Sequence, residues 1–279
     1  MNKNVIIKIA SDFVQASEEN YISKEVAISE KVVGMKIFDA PIFGFAASDD
    51  RCFESFKQPN VIGEHFMLPK VWLPSAKTII SFFLPFNKLI KAGNALEKEW
   101  PSEEWLHGRI EGQVVVDKLC IYLKTELIKA GYNSIVPSLD KRFWLQKELN
   151  KDVDAHLDRP FTSTWSERHV AFVSGLGTFG LSKGLITSKG VAGRIGSVIT
   201  ELYLPSNKRE YENIYENCSM CGACVKKCPV NAISMEKGKD HLLCSRFLDM
   251  TEEKFSPRYG CGKCQVGVPC ESGIPKESK

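Results

Sequence analysis

The run Cys218-Ser-Met-Cys221-Gly-Ala-Cys224-Val-Lys-Lys-Cys228-Pro229 places four cysteines at short, regular intervals. Three thiolates at such spacing can cap one face of a metal cluster, because the loop between them can curl around it. Gly222 and Ala223 are small enough to let the loop backbone approach the ligand and aim N–H groups at it. Four further cysteines follow this run, namely Cys244, Cys261, Cys264 and Cys270.

The spacing of the first run is the C-x2-C-x2-C-x3-C-P signature of bacterial ferredoxins with two clusters. In that arrangement the fourth cysteine of a run ligates the other cluster. We therefore predict two [4Fe-4S] clusters. The predicted ligands of the first are Cys218, Cys221, Cys224 and Cys270. Those of the second are Cys228, Cys244, Cys261 and Cys264.

Three other uses of these cysteines compete with iron–sulfur ligation. Paired C-x2-C elements suit a four-thiolate zinc site, but zinc does not explain a triplet that crowds three ligands onto one face. A disulfide scaffold is typical of secreted chains, and the N-terminus shows no secretion signal. Free thiols remain the third alternative. Cys52 and Cys120 lie outside the pattern, and Cys120 sits in an apolar helical stretch that predicts core packing.

The composition is that of an ordinary globular protein, with 279 residues, 43% hydrophobic and 25% charged. The most apolar run covers residues 78–86, far fewer than the ~18 that a membrane span requires. We therefore expect a cytoplasmic protein with no membrane partner. The formal charge is +3, and two clusters of about −2 each would bring it to about −1. This balance does not favour a nucleic-acid partner.

Helices and strands alternate through the first two thirds of the chain. Residues 77–84 read as a buried strand, residues 112–130 as a long helix ended by Gly131, and residues 134–137 as another strand. This alternation predicts an α/β domain over residues 1–206. A polar stretch after Pro205 marks the predicted boundary, and residues 207–279 are expected to form a two-cluster ferredoxin-like domain.

The segment Gly175-Leu-Gly177-Thr-Phe-Gly180 matches the pattern G-x-G-x-x-G. A dinucleotide-binding loop of this kind must follow a strand and open a helix. Here the order is reversed, because Thr164-Trp-Ser-Glu167 reads as a capping box that starts a helix before the loop. Two interpretations stay open: a tight turn from helix to strand, or clearance for a large flat cofactor.

The glycine loop, the segment Lys183-Gly-Leu-Ile-Thr187, the pair Gly193-Arg194 and the cysteine tail together resemble epoxyqueuosine reductases and corrinoid reductive dehalogenases. The resemblance is to a short-chain branch without the C-terminal helical-repeat domain. It implies a nitroreductase-like α/β domain that binds cobalamin and receives electrons through two [4Fe-4S] clusters. The implied partners are a low-potential electron donor and either a small-molecule substrate or a corrin.

The resemblance also implies residue roles. The implied cofactor-binding residues are Gly175, Gly177, Gly180, Lys183, Ile186, Thr187 and Arg194. Phe161 stands where these reductases carry a catalytic aspartate, and phenylalanine cannot donate a proton. Asp158 and His169 are the remaining candidates for a catalytic role. Glu167 matches a glutamate of the group, but the predicted capping box already explains it. A ferredoxin-type carrier and a cobalamin-reducing protein, each without an organic substrate, are the alternative functions.

Overall fold

An antiparallel sheet lies at the centre of the computed structural model, which describes residues 1–146 and 161–276. The strands in these residues are β1 (Ile42–Ala47), β2 (Thr78–Pro85), β3 (Ser134–Ile135), β4 (Leu145–Gln146), β5 (Thr162–Ser163), β6 (Gly177–Phe179), β7 (Leu185–Thr187), β8 (Gly193–Thr200), β9 (Ile233–Ser234) and β10 (Gly238–Lys239). The central sheet has the order β1-β2-β8-β3, and each neighbouring pair is antiparallel.

Helices cover both faces of this sheet. They are α1 (Lys3–Ala16), α2 (Arg51–Ser55), α3 (Pro69–Trp72), α4 (Lys88–Leu96), α5 (Glu103–Lys129), α6 (Glu167–Val173), α7 (Ala223–Lys227) and α8 (His241–Phe255). α1 and α5 share one hydrophobic core with the sheet, and α6 contributes to the cores on the other side. No helix in the described residues is long and apolar enough to span a membrane.

The strand predicted at residues 77–84 is confirmed as β2. All eight of its residues are buried, because alternate side chains enter different cores. Ile80 and Phe82 pack on the α5 side, whereas Ile79 and Phe83 pack on the α6 side. Period-2 alternation with helices on both faces explains why the strand reads as one continuous apolar run.

The predicted capping box at residues 164–167 is wrong. The helix begins at Glu167 with Ser166 as its N-cap residue, and the Ser166 side chain makes no capping hydrogen bond. The Thr164 hydroxyl instead accepts from the Trp144 backbone N–H at 3.2 Å. Pairing of β4 with β5 keeps the residues just before the helix extended, so the helix begins closer to the C-terminus than predicted.

The cysteine-rich tail packs directly on the sheet-bearing part of the chain. The backbone N–H of Val191 donates to the Cys270 carbonyl at 2.9 Å. The neighbouring N–H of Ala192 donates to the Glu271 carbonyl at 3.3 Å. These bonds place the end of the tail beside the start of β8. A domain boundary after residue 206 stays a prediction.

Candidate iron–sulfur site

Two cavities divide the eight tail cysteines between them. We call chamber A the cavity whose lining contains Cys218, Cys221, Cys224 and Cys270. We call chamber B the cavity whose lining contains Cys228, Cys244, Cys261 and Cys264. Each chamber thus gathers one of the two ligand sets expected from the sequence. The assignment of these cysteines as cluster ligands stays a prediction.

Chamber A lies near the molecular surface. Cys221 is exposed and Met220 beside it is 42% exposed. Gly222 adopts a left-handed conformation with φ of 70°, which turns the cysteine loop into α7. The cavity encloses about 20 Å³.

Chamber B lies deeper, between the tail and the sheet-bearing part of the chain. Its volume is about 170 Å³, and α5 contributes Trp105 and Arg109 to its lining. Gly262 has φ of 64°, and a methyl group at this position would overlap the Trp105 ring. Glycine is therefore required here to bring Cys261 and Cys264 up against α5.

Burial raises the pKa of several tail thiols. It raises the pKa of Cys261 and of Cys270 to about 12 each. Thiolate, not thiol, is the form that ligates a metal. Bound iron carries the positive charge that displaces these protons, so metal binding and proton release are coupled.

The two chambers are neighbours. Burial raises the pKa of Cys224 to about 11, and the thiolate of Cys264 across the boundary adds to this shift. Such coupling requires the two sulfur atoms to lie within range of each other's charge. A group held in chamber A would therefore lie close to a group held in chamber B.

Each chamber has four sulfur donors in its lining. Within residues 1–146 and 161–276, no three His, Cys, Asp or Glu side chains converge closely enough to hold one metal ion. The four thiols of chamber B contribute to the lining of a cavity of about 170 Å³. Sulfur ligands around a volume are the donor set that an iron–sulfur cluster requires.

Comparisons with known proteins agree with this chemistry. The 4Fe-4S binding domain family matches residues 211–234. An epoxyqueuosine reductase from Streptococcus thermophilus superimposes with a TM-score of 0.52 at 16% identity, over 100% of this chain and 69% of that one. The Bacillus subtilis epoxyqueuosine reductase gives 0.51 at 17% identity, over 98% and 66%. A reductive dehalogenase gives 0.53 at 12% identity, over 84% and 30%.

This chain has the fold of epoxyqueuosine reductases and reductive dehalogenases. The resemblance predicted from the sequence is thereby confirmed at the level of the fold. The chain spans about two thirds of the length of these epoxyqueuosine reductases and about a third of the dehalogenase. Curated proteins gave no significant match.

The residues that the epoxyqueuosine reductase resemblance assigns to a corrin are not gathered in either of the two chambers. Gly180 and Ile186 line chamber A, whereas Arg194 lines chamber B. The ammonium of Lys183 donates to the Tyr215 hydroxyl at 2.9 Å. The Thr187 hydroxyl donates to the Gly190 carbonyl at 2.9 Å.

Two glycines of the G-x-G-x-x-G loop have structural explanations. Gly177 lies in β6, where a methyl group would overlap the Ile186 carbonyl oxygen of β7. Gly175 has φ of 82° and faces Asn207. The loop follows α6 and leads into β6, so it lacks the strand-to-helix order of a nucleotide loop. Corrin binding stays a prediction.

Neither remaining catalytic candidate gains support. Asp158 lies outside the described residues. The ring of His169 packs against Phe56 and Phe179, each at 5.0 Å between centroids. Burial, with a smaller contribution from Arg168, lowers the pKa of His169 to about 4. His169 is thus neutral at ordinary pH, and its Nδ1 lies 2.7 Å from the Ser166 hydroxyl oxygen. Its catalytic role stays a prediction. Phe161 has φ of 62°.

The buried position of the Glu167 side chain was not predicted from the sequence. Both of its carboxylate oxygens are buried, and neither has a partner in hydrogen-bonding geometry. Burial raises the pKa of Glu167 to about 7, although Ser197 and Trp165 lie close enough to oppose the shift. The predicted capping box explained this residue as a surface cap. The true helix start turns it inward against β8 instead.

Proposed function

We propose that this chain is an iron–sulfur oxidoreductase that holds two [4Fe-4S] clusters and relays single electrons to a reducible small molecule. The main support is the division of the eight cysteines between chambers A and B along the lines of the ferredoxin signature. The family match at residues 211–234 supports the same cofactor. The fold shared with two classes of reductase supports an oxidoreductase rather than a storage or regulatory protein.

The residues of the two chambers have distinct tasks in this proposal. The thiolates of Cys218, Cys221, Cys224 and Cys270 hold one cluster beside the surface, where an external donor can approach. Those of Cys228, Cys244, Cys261 and Cys264 hold the other against α5 and β8. Bound clusters supply one-electron transfer, and the protein positions them and limits solvent access.

Cobalamin is a separate part of the proposal. The resemblance implies it, and the dehalogenase neighbour is described as B12-dependent. Of the residues assigned to it, Gly180 and Ile186 line chamber A and Arg194 lines chamber B, and we assign no step to this cofactor. The substrate is expected to be a small molecule, or a corrin that is itself reduced.

The test is anaerobic purification followed by iron and sulfide analysis, electron paramagnetic resonance (EPR) spectroscopy and titration with cobalamin. We expect two four-iron clusters per chain. Colourless protein that contains zinc in place of iron would refute the iron–sulfur proposal. An unchanged absorption spectrum of cobalamin would refute the corrin part alone.

A second candidate is an electron carrier without its own substrate. Two observations favour it: Phe161 cannot donate a proton, and Gly177 is explained by contact between β6 and β7 rather than by a cofactor. A carrier should exchange electrons with a protein partner and bind no corrin. A cobalamin-reducing protein should bind corrin but turn over no added organic substrate.

A further inference from the structure

Charged residues are distributed unequally between the two chambers. Four cationic side chains line chamber B: Arg109, Arg194, Lys239 and Lys263. Within the described residues, the lining of chamber A contains no lysine, arginine, aspartate or glutamate. Its walls are apolar or neutral side chains such as Leu181, Ser182 and Val268.

The cations of chamber B are held in place by packing and hydrogen bonds. The Arg109 guanidinium donates to the Tyr259 hydroxyl at 2.7 Å and stacks on the same ring at 4.7 Å. Arg194 donates to the side-chain oxygen of Gln113 on α5. Neither arginine is engaged in an ion pair that would cancel its charge at short range, as judged within the described residues.

A fifth cation stands beside this chamber. Arg168 donates to the Lys183 carbonyl at 2.7 Å. Desolvation lowers the pKa of Arg168, although part of the residue is exposed, and the nearby thiolates of Cys264 and Cys244 oppose that shift. Asp117 on α5 is the acidic group near Arg194. Burial raises the pKa of Asp117, which disfavours the negatively charged form of its carboxyl group.

Partly buried cations without counter-ions are costly unless an anion lies among them. A four-iron cluster with four thiolates is such an anion, and its negative charge grows by one when it accepts an electron. Positive charge around a cluster therefore raises its reduction potential.

We propose that Arg109, Arg194 and Lys239 make the cluster of chamber B the more readily reduced of the two, so that an electron entering at chamber A comes to rest beside α5 and β8. This inference rests on the proposed two-cluster function and adds a direction to it. Chamber A, with Cys221 exposed, is the entry side. Chamber B is the side that faces the rest of the chain. The electron comes from an external one-electron donor.

The test is an EPR-monitored redox titration of the cluster-loaded protein with dithionite. The chamber B signal is the one lost in Cys244→Ser. Arg194→Gln and Lys239→Gln should each lower its midpoint potential and leave the other signal in place. We expect at least a tenfold change in the distribution of one electron between the clusters, which is 59 mV for a one-electron couple.

Two further variants complete the design. Ser219→Lys adds a cation to the exposed edge of chamber A and should raise the potential of its cluster. Lys8→Gln removes the same charge from α1, where the side chain is 73% exposed, and should change neither potential.

The inference is overturned if Arg194→Gln and Lys239→Gln both match Lys8→Gln. It is also overturned if the chamber A cluster has the higher potential in the unmodified protein. Absence of iron from the unmodified protein would instead refute the proposed function. If Arg194→Gln does not fold, Lys239→Gln still decides the matter.

Discussion

The ammonium of Lys263 donates to the backbone carbonyl of Asn94 at 2.9 Å and to its side-chain oxygen at 3.1 Å. It also donates to the Glu97 carbonyl at 2.7 Å. Lys263 is only 2% exposed. A residue between two predicted cluster ligands thus satisfies the carbonyls at the end of α4, where a cation also complements the helix dipole.

Replacing this lysine should destabilise the protein. In Lys263→Met the buried acceptors of Asn94 and Glu97 lose their donor, and we expect a loss of about 2–3 kcal/mol in the free energy of unfolding. Denaturant unfolding of the anaerobic protein measures it. Lys91→Met, on α4 itself, is the matched control, because its ammonium donates to the Ser272 hydroxyl at the surface. Equal stabilities of the two variants would contradict the role of Lys263.

The crossing of ligands between the two cysteine runs can be tested by matching spectra. Cys228 lines chamber B although it follows three cysteines of chamber A. We therefore expect Cys228→Ser to lose the same EPR signal as Cys244→Ser. Cys270→Ser should lose the same signal as Cys218→Ser.

Cys52→Ser is the control for this series, because Cys52 lies outside both chambers, and it should keep both signals. The ligand assignment would be wrong if Cys228→Ser gave the spectrum of Cys218→Ser.

The buried carboxyl of Glu167 should make stability depend on pH. Its pKa rises from 4.5 to about 7 in the folded protein. The folded state therefore has its full stability below pH 4.5 and loses stability as the pH rises through 7. The difference corresponds to about 3 kcal/mol.

Glu167→Gln keeps the shape of the side chain and removes its ionisation. This variant should lack the decline and be more stable than the unmodified protein above pH 7. Denaturant unfolding between pH 5 and pH 8 measures the effect, with Glu210→Gln at an exposed position as the control. Parallel pH profiles for both variants would contradict the burial of an unpaired carboxyl.

The role of Gly177 can be separated from cofactor binding. An alanine there would overlap the Ile186 carbonyl, so Gly177→Ala should destabilise the protein by about 1–3 kcal/mol in the absence of any corrin. The nearest atom to the methyl group of Gly180→Ala is the flexible end of the Ile186 side chain, at 3.0 Å, so this variant should cost less. Thermal unfolding without added cobalamin measures both. Unchanged stability of Gly177→Ala would favour the cofactor interpretation.

Local signals in the sequence predict the structure correctly where one loop or one strand decides the outcome. The eight apolar residues of β2 predict burial on both sides of a sheet, and the structure has it so. Cys120 was expected in the core and is 1% exposed. The capping pattern at Thr164 predicts the wrong start for α6, because pairing of β4 with β5 keeps the preceding residues extended.

The sequence by itself determined that eight cysteines fall into two sets, because short loop spacings decide which thiols can share one small volume. Only the tertiary structure decided what surrounds each set. Arg109 and Arg194 come from distant parts of the chain, and packing of α5 against β8 brings them to chamber B. The spacing of residues in the sequence does not predict contacts between such distant parts of the chain, because those contacts depend on how the helix, the sheet and the tail pack together.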